Sequence, residues 1–197
     1  MISLIFDTET TGVADQKLSI KDPNQPYLVE LAFELFDSEQ GVMAAYSTLI
    51  IPDIPIPESA TKVHGITDEM VQKFGVSPRV ALSVFYHHMK QADRIVAHNI
   101  AFDYFVIQVN FDRVDISGDM ILQMPTLCTM KKSIDIVAIE KPEWQQKKYG
   151  GKYKWPNLDE TFRCLVDPEG FSDAHRASHD VTATREILRA LEELNAD

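Results

Sequence analysis

The chain opens on an apolar run, Ile2–Phe6, that gives way at once to Asp7-Thr8-Glu9. A short run of this kind reads as a central strand. Side chains alternate along a strand, so Asp7 and Glu9 leave one sheet face while Thr8 points away. Two carboxylates on one side of a strand end offer the hard oxygen ligands that Mg²⁺ and Mn²⁺ prefer. Simple solvation of two acids at a strand end is the competing reading, and Asp-x-Glu alone does not separate the two.

The rest of the chain supplies partners for that strand. Val29–Phe36 and Met43–Ile51 flank the polar break Asp37–Gly41 and predict a hairpin. Pro52, Pro55 and Pro57 then impose an irregular, extended crossing. Ser77–Ala92 carries Val80, Val84, Phe85 and Met89 at helical spacing, Arg94–Ala97 reads as a short strand, and a helix follows from about Asn99 to Phe111. Further helices are expected at Met130–Ala138 and Leu158–Leu165, and a terminal one carries Val181, Ile187, Leu188, Leu191 and Leu194 on one face. Glu140–Pro156, rich in Lys, Gln, Gly and aromatics, reads as an ordered loop. With no repeat, low-complexity tract or linker, residues 1–197 read as one domain. Its class is α/β, with a mixed sheet between helices.

Three more residues carry chemistry. Asp103 falls in the first turn of the helix that Asn99 would cap, where the helix dipole favours an anion and where α/β sheets usually build sites. A merely dipole-stabilising Asp is the plainer reading. Asp180 opens the terminal helix. His175 lies five residues earlier, a separation that does not bring two side chains onto one helix face, so it is placed in the preceding loop. Its ordinary pKa of about 6.5 suits a general base. His179, adjacent to Asp180, is the rival and is expected to point elsewhere or pack.

Charge argues the other way. The formal net charge of −11 is awkward for contact with phosphates. Two bound divalent ions would bring it to −7 and reverse the sign locally. A short, single-stranded or transiently held substrate fits this charge better than tight duplex binding. No stretch approaches the roughly 20 apolar residues of a membrane span, and the N-terminus lacks a signal-peptide pattern. Cys128 and Cys164 lie far apart and outside any metal-ligand spacing, which suits small apolar packing in a reducing cytoplasm.

Taken together, these segments resemble the DEDDh 3′–5′ exonucleases, which include the proofreading subunits of bacterial DNA polymerases, ribonuclease T and oligoribonuclease. The resemblance rests on Phe6-Asp7-Thr8-Glu9-Thr10-Thr11-Gly12, on His98-Asn99-Ile100-Ala101-Phe102-Asp103, and on Ala174-His175-Arg176-Ala177-Ser178-His179-Asp180. Arg176 stands where the sister group carries Tyr. Val29-Glu30-Leu31-Ala32 and Val63-His64-Gly65-Ile66-Thr67 match as well, the latter pointing to the proofreading branch.

That resemblance implies a ribonuclease H-like three-layer fold with a five-stranded sheet, and two divalent cations, Mg²⁺ or Mn²⁺, about 4 Å apart. Asp7 would bridge the ions, Glu9 and Asp180 would complete the site of the nucleophilic water, Asp103 would support the second ion, and His175 would take the proton. Nucleoside 5′-monophosphates would leave the 3′ end of a nucleic acid, with DNA favoured over RNA. An exoribonuclease, or an idle binding module, is the alternative.

Substrate contacts are expected from Thr10, Thr11 and Gly12 through their backbone, from His64 beside the terminal base, from Ile66 as an apolar wedge, and from Phe102 by stacking. Asn99 is a further candidate, each weighed against a structural role. Lys147–Trp155 mixes cations and aromatics as single-strand surfaces do, and competes with a solvated loop packed by Trp155. A polymerase or a second copy is a candidate partner that the sequence does not specify. The short stretch after the terminal helix weakens the expectation of a polymerase subunit and favours a free enzyme or a differently docked one.

Overall fold

A computed structural model describes residues 1–171 and 176–194. Strand β1 (Ile2–Thr10) runs further than its apolar stretch, because β2 (Leu28–Asp37) pairs with it antiparallel as far as Thr10, with a bulge between Glu9 and Thr10. Strand β3 (Gly41–Leu49) closes the hairpin, and Gly41 takes the left-handed backbone (φ 85°) its turn requires. Strands β4 (Arg94–Ala97) and β5 (Thr126–Cys128) add in parallel on the other side, giving the order β3-β2-β1-β4-β5. The sheet is therefore mixed and five-stranded, as expected, with β1 at its centre.

Alternation along β1 sorts the two layers of helices. Leu4 and Phe6 face α3 (Pro78–Met89) and α4 (Ile100–Arg113), packing with Phe33, Phe85, Ile107 and Phe111. Ile5 faces the other way and packs with Ala32, Phe36 and Val96 against Ala177, Val181 and Leu188 of the long helix α9 (Ala177–Leu194). Asp7 and Glu9 continue the Ile5 face, so they are delivered beneath α9.

Several elements exceed the sequence reading. Helices α1 (Glu58–His64) and α2 (Asp68–Phe74) follow the proline-rich crossing, each too short to show a full apolar period. They enclose a small core of Val29, Ile56, Ala60, Ile66 and Val71. Helix α5 (Asp119–Gln123) precedes β5, and α6 (Thr129–Val137) follows it. The expected loop at Glu140–Pro156 instead contains α7 (Glu143–Tyr149), which starts after Pro142 and ends at Gly150 in the left-handed half of φ (68°). Its residues favour helix, but none is buried, so no apolar stripe betrays it. A full capping box, Asn157 with Glu160, opens α8 (Leu158–Leu165). Among the described residues no helix is long and apolar enough to cross a membrane.

Candidate active site

The C-terminal half of β1 and the first turn of α9 meet over one sheet face. Asp7 and Glu9 rise from the strand, and Asp180 comes down from the helix. One carboxylate oxygen from each lies within 4.8 Å of the other two. Such a set of oxygens on two rigid elements has the donor chemistry a hard divalent cation requires.

Asp103 approaches from the opposite layer. Thr8, on the face away from Asp7 and Glu9, donates both its backbone N–H (3.0 Å) and its hydroxyl (2.7 Å) to Asp103 Oδ1. These two bonds fasten the first turn of α4 to the strand that carries the other acids. The pairing needs tertiary structure to be seen, because 95 residues separate the partners.

The electrostatics follow from this crowding. Burial, then repulsion from Asp103, Asp180, Glu9 and Glu30, holds the Asp7 carboxyl well above the usual carboxylate range. Burial and then Asp180, Glu30 and Asp103 push Glu9 up to about 8, with Arg176 opposing. Burial raises Asp103 to about 7 against the pull of its Thr8 hydrogen bonds, and Asp180 adds to the rise. A site in which like charges suppress one another's ionisation is one that a cation would relieve.

Glu30 matters more than its place in a strand motif suggests. It is buried, yet it takes Arg176 Nη2 at 2.9 Å and Nε at 3.2 Å, and its Oε2 accepts the Ala177 backbone N–H at 3.0 Å. Four residues along the same strand, Glu34 pairs with Arg185 Nε at 2.7 Å. Two acids in the otherwise apolar run Leu28–Phe36 were the available signal; they stitch α9, and with it Asp180, to β2. His175 lies outside the described residues. His179 is exposed and lines a cavity with Glu34, Tyr46 and Ser47.

Beside the acids, a cavity of about 340 Å³ is lined by Glu9, Thr10, Gly12, His64 and Phe102, together with Thr8, Val13, Ser59, Ala60 and Val63. The structure thus gathers four of the seven expected substrate contacts around one space. His64 Nδ1 accepts the Ile66 backbone N–H at 3.0 Å, and burial lowers the ring's pKa, so the neutral ring carries its proton on Nε2. That Nε2 is buried and faces the Thr10 backbone, short of full hydrogen-bond geometry.

The other three fall elsewhere. Thr11 is buried and clasps Tyr27, exchanging backbone and side-chain hydrogen bonds with it. Ile66 is fully buried between Val29, Ile56, Ala60 and Val71, so it is a core residue and not a wedge. Asn99 sits at the start of α4 but in the left-handed region (φ 64°), with no capping bond from its side chain. A cap needs extended backbone to reach the next turn, which corrects the expectation of an Asn99 cap.

Comparison with known proteins places these features in a family. A family profile described as "Exonuclease" (RNase_T) matches residues 4–188. The chain is 29% identical over 192 residues to the DNA polymerase III subunit epsilon of Treponema pallidum, covering 94% of this chain and 74% of that protein. It is 24% identical over 185 residues to PolC-type DNA polymerase III of Streptococcus pyogenes, of which it covers 11%. Among solved structures, an E. coli exonuclease I complex with single-stranded DNA shares the fold with a TM-score of 0.75 at 18% identity, over 98% of this chain and 40% of that one. Exonuclease X in complex with 5′-overhanging duplex DNA gives 0.59 at 22% identity, covering 99% and 93%.

Proposed function

The chain belongs to the RNase_T family of exonucleases, and on that premise we propose that it is a metal-dependent 3′–5′ exonuclease acting on single-stranded or frayed DNA ends. The observation that carries the proposal is the trio Asp7, Glu9 and Asp180, with oxygens within 4.8 Å of one another, beside a cavity that Glu9 itself lines. Asp7, Glu9, Asp180 and Asp103 would hold two divalent cations. Bound there, the cations would supply Lewis-acid charge to the scissile phosphate and lower the pKa of an attacking water.

The protein's own groups set the geometry around that chemistry. The terminal nucleotide enters the cavity, with Phe102 against its base and the His64 Nε2–H as a hydrogen-bond donor. Thr10 and Gly12 bring backbone close to the sugar. Thr8 holds Asp103 in place by donating to it twice and favours its ionised form against burial, and Glu30 fixes the start of α9 so that Asp180 stays opposite Asp7. His175, immediately before the Arg176 that Glu30 grips, takes the proton of the attacking water. The DNA named in the two exonuclease structures and the polymerase named in the Treponema relative support DNA as substrate and proofreading beside a polymerase as its setting.

The test is digestion of matched 5′-labelled DNA and RNA strands with Mg²⁺, Mn²⁺ or chelator. A ladder shortening from the 3′ end, dependent on metal, is expected and should be faster on DNA. Undiminished activity in Asp7→Ala or in chelator would defeat the metal mechanism. Faster digestion of RNA would assign the chain to exoribonuclease chemistry.

A further inference from the structure

The strongest feature outside the acidic site is the segment between α6 and α8. It holds five lysines (141, 147, 148, 152 and 154) against two acids, Glu140 and Glu143, in a chain whose net charge is −11, and Glu140 pairs with Lys152 at 2.8 Å. Lysines so concentrated are a cationic island on an acidic surface, and they stand among large exposed rings. Trp144 is 60% exposed, Tyr149 65% and Trp155 61%, values at which a ring has a face with nothing packed on it.

The segment is built, not loose. Residues Glu140 and Tyr153 form an antiparallel bridge, flanked by the bonds Lys141 N–H to Lys152 O and Lys154 N–H to Ile139 O, each 2.9 Å. Lys141 Nζ donates to Gly150 O at 2.8 Å, and Lys154 is paired with Glu160, so these two lysines serve the framework. Among the described residues no carboxylate pairs with Lys147 or Lys148. A cavity of about 680 Å³ opens along the bridge, lined by Tyr149, Tyr153 and Trp155 with Lys141, Lys152, Lys154 and Asp135; Lys147 and Lys148 precede its Tyr149 wall in the chain.

Its position ties it to the acidic site. His98, the first residue beyond β4, bonds Pro156 O through Nε2 (3.1 Å) and Thr129 Oγ1 through Nδ1 (3.0 Å). Burial keeps that histidine below its usual pKa and hence neutral. Trp155 is therefore anchored at the end of the parallel strands β1 and β4, where Asp7 and Glu9 stand on β1 and α4, with Asp103, follows β4. Cations free of carboxylate partners (Lys147, and Lys148 lying over the Tyr149 ring at 5.0 Å), exposed rings and a groove at that end are what the backbone and bases of a single strand require.

We propose that Lys147, Lys148, Tyr149 and Trp155 form a docking platform for single-stranded DNA, holding the part of the strand upstream of the nucleotide being cleaved. The platform supplies a basic surface on a chain whose net charge is −11. It rests on the exonuclease reading for its direction, though binding itself does not.

Two variants test it, Trp155→Ala and Lys147→Ala/Lys148→Ala, with a circular-dichroism melt to show that each folds. Three readouts are taken in Mn²⁺ over a range of salt: hydrolysis of the p-nitrophenyl ester of thymidine 5′-monophosphate, of a three-thymidine strand, and of a twelve-thymidine strand. Quenching of tryptophan fluorescence by the twelve-thymidine strand, in chelator, reports binding without catalysis. On the longest strand, kcat/KM should fall about tenfold for each variant, the scale expected from one lost stacking contact or two lost phosphate contacts. The salt slope of the lysine variant should be shallower by about 0.7 per lost phosphate contact. The short substrates should change less than about twofold.

Equal losses on short and long strands, or no loss on either, would overturn the platform, as would absence of quenching in the wild type. Losses confined to a twelve-uridine RNA strand would overturn the assignment to DNA. If the wild type hydrolyses none of the substrates but is quenched by the strand in a Lys147- and Trp155-dependent way, the exonuclease reading fails and the platform stands.

Discussion

The metal-free protein should lose stability as pH rises through the neutral range. Glu9 titrates at about 8 in the folded chain against an ordinary 4.5, and Asp103 at about 7 against 3.8. A carboxyl whose folded pKa is raised binds more protons folded than unfolded between those two values. Unfolding free energy therefore falls with pH across that interval and levels off above the folded pKa.

Two histidines act in the opposite sense at lower pH. His64 and His98 have lowered folded values, so their contribution rises with pH only as far as about 6.5. The carboxyls Asp37 and Glu160, both lowered, act only below the ordinary carboxylate range. The window from about pH 6.5 to 8 thus isolates the acidic site. At about 1.4 kcal/mol per pH unit for one proton, Glu9 alone removes about 2 kcal/mol there, or about 1 kcal/mol after allowance for its partial exposure.

Urea unfolding in chelator would show this as a midpoint lower by roughly 0.5–1 M at the alkaline end, with an m-value near 2 kcal/mol/M. Glu9→Gln should flatten the slope, and saturating Mn²⁺ should do the same because the cation replaces the shared protons. Stability that is constant or rising across the window in chelator would refute the crowded-carboxylate account. So would equal slopes in wild type and Glu9→Gln.

Three further outcomes follow from the same geometry. Asp7→Asn should stabilise the metal-free fold by about 1 kcal/mol, by removing one repelling charge, while lowering nuclease activity at least about a thousandfold; paired melting and rate measurements check both signs. Glu30→Gln should cost about 2 kcal/mol, less than a fully buried pair would because Arg176 is 41% exposed. It should also lower kcat more than it raises KM, and steady-state kinetics on one DNA strand separate the two. Ile66→Val should cost about 1 kcal/mol and leave KM unchanged, as for a core residue; a raised KM with unchanged stability would restore the wedge.

What the sequence discloses and what it conceals divide along a physical line. Asp7 and Glu9 are legible because strand alternation is local, and Asp103 because it stands in a helix's first turn, although Asn99 does not cap that helix. The pairing of Thr8 with Asp103 and of Glu30 with Arg176 and Ala177 joins residues 95 to 147 positions apart, and nothing local announces such bonds. Helix α7 escapes because it buries no residue, and α1 and α2 because seven residues show barely two turns. Ile66 misleads for the reverse reason. Gly65 breaks the chain just after α1, but the chain turns inward there and seats the side chain in the small core against β2.

Whether the acidic trio serves hydrolysis at a 3′ end is read from the first product released. A single DNA strand carrying different fluorophores at its 5′ end and on its 3′-terminal base is incubated with Mn²⁺, and the first released product is identified by mass. The expected product is the 3′-terminal nucleoside 5′-monophosphate, absent in chelator and in Asp7→Asn. Release of the 5′ nucleotide first, or an undiminished rate in Asp7→Asn, would contradict it.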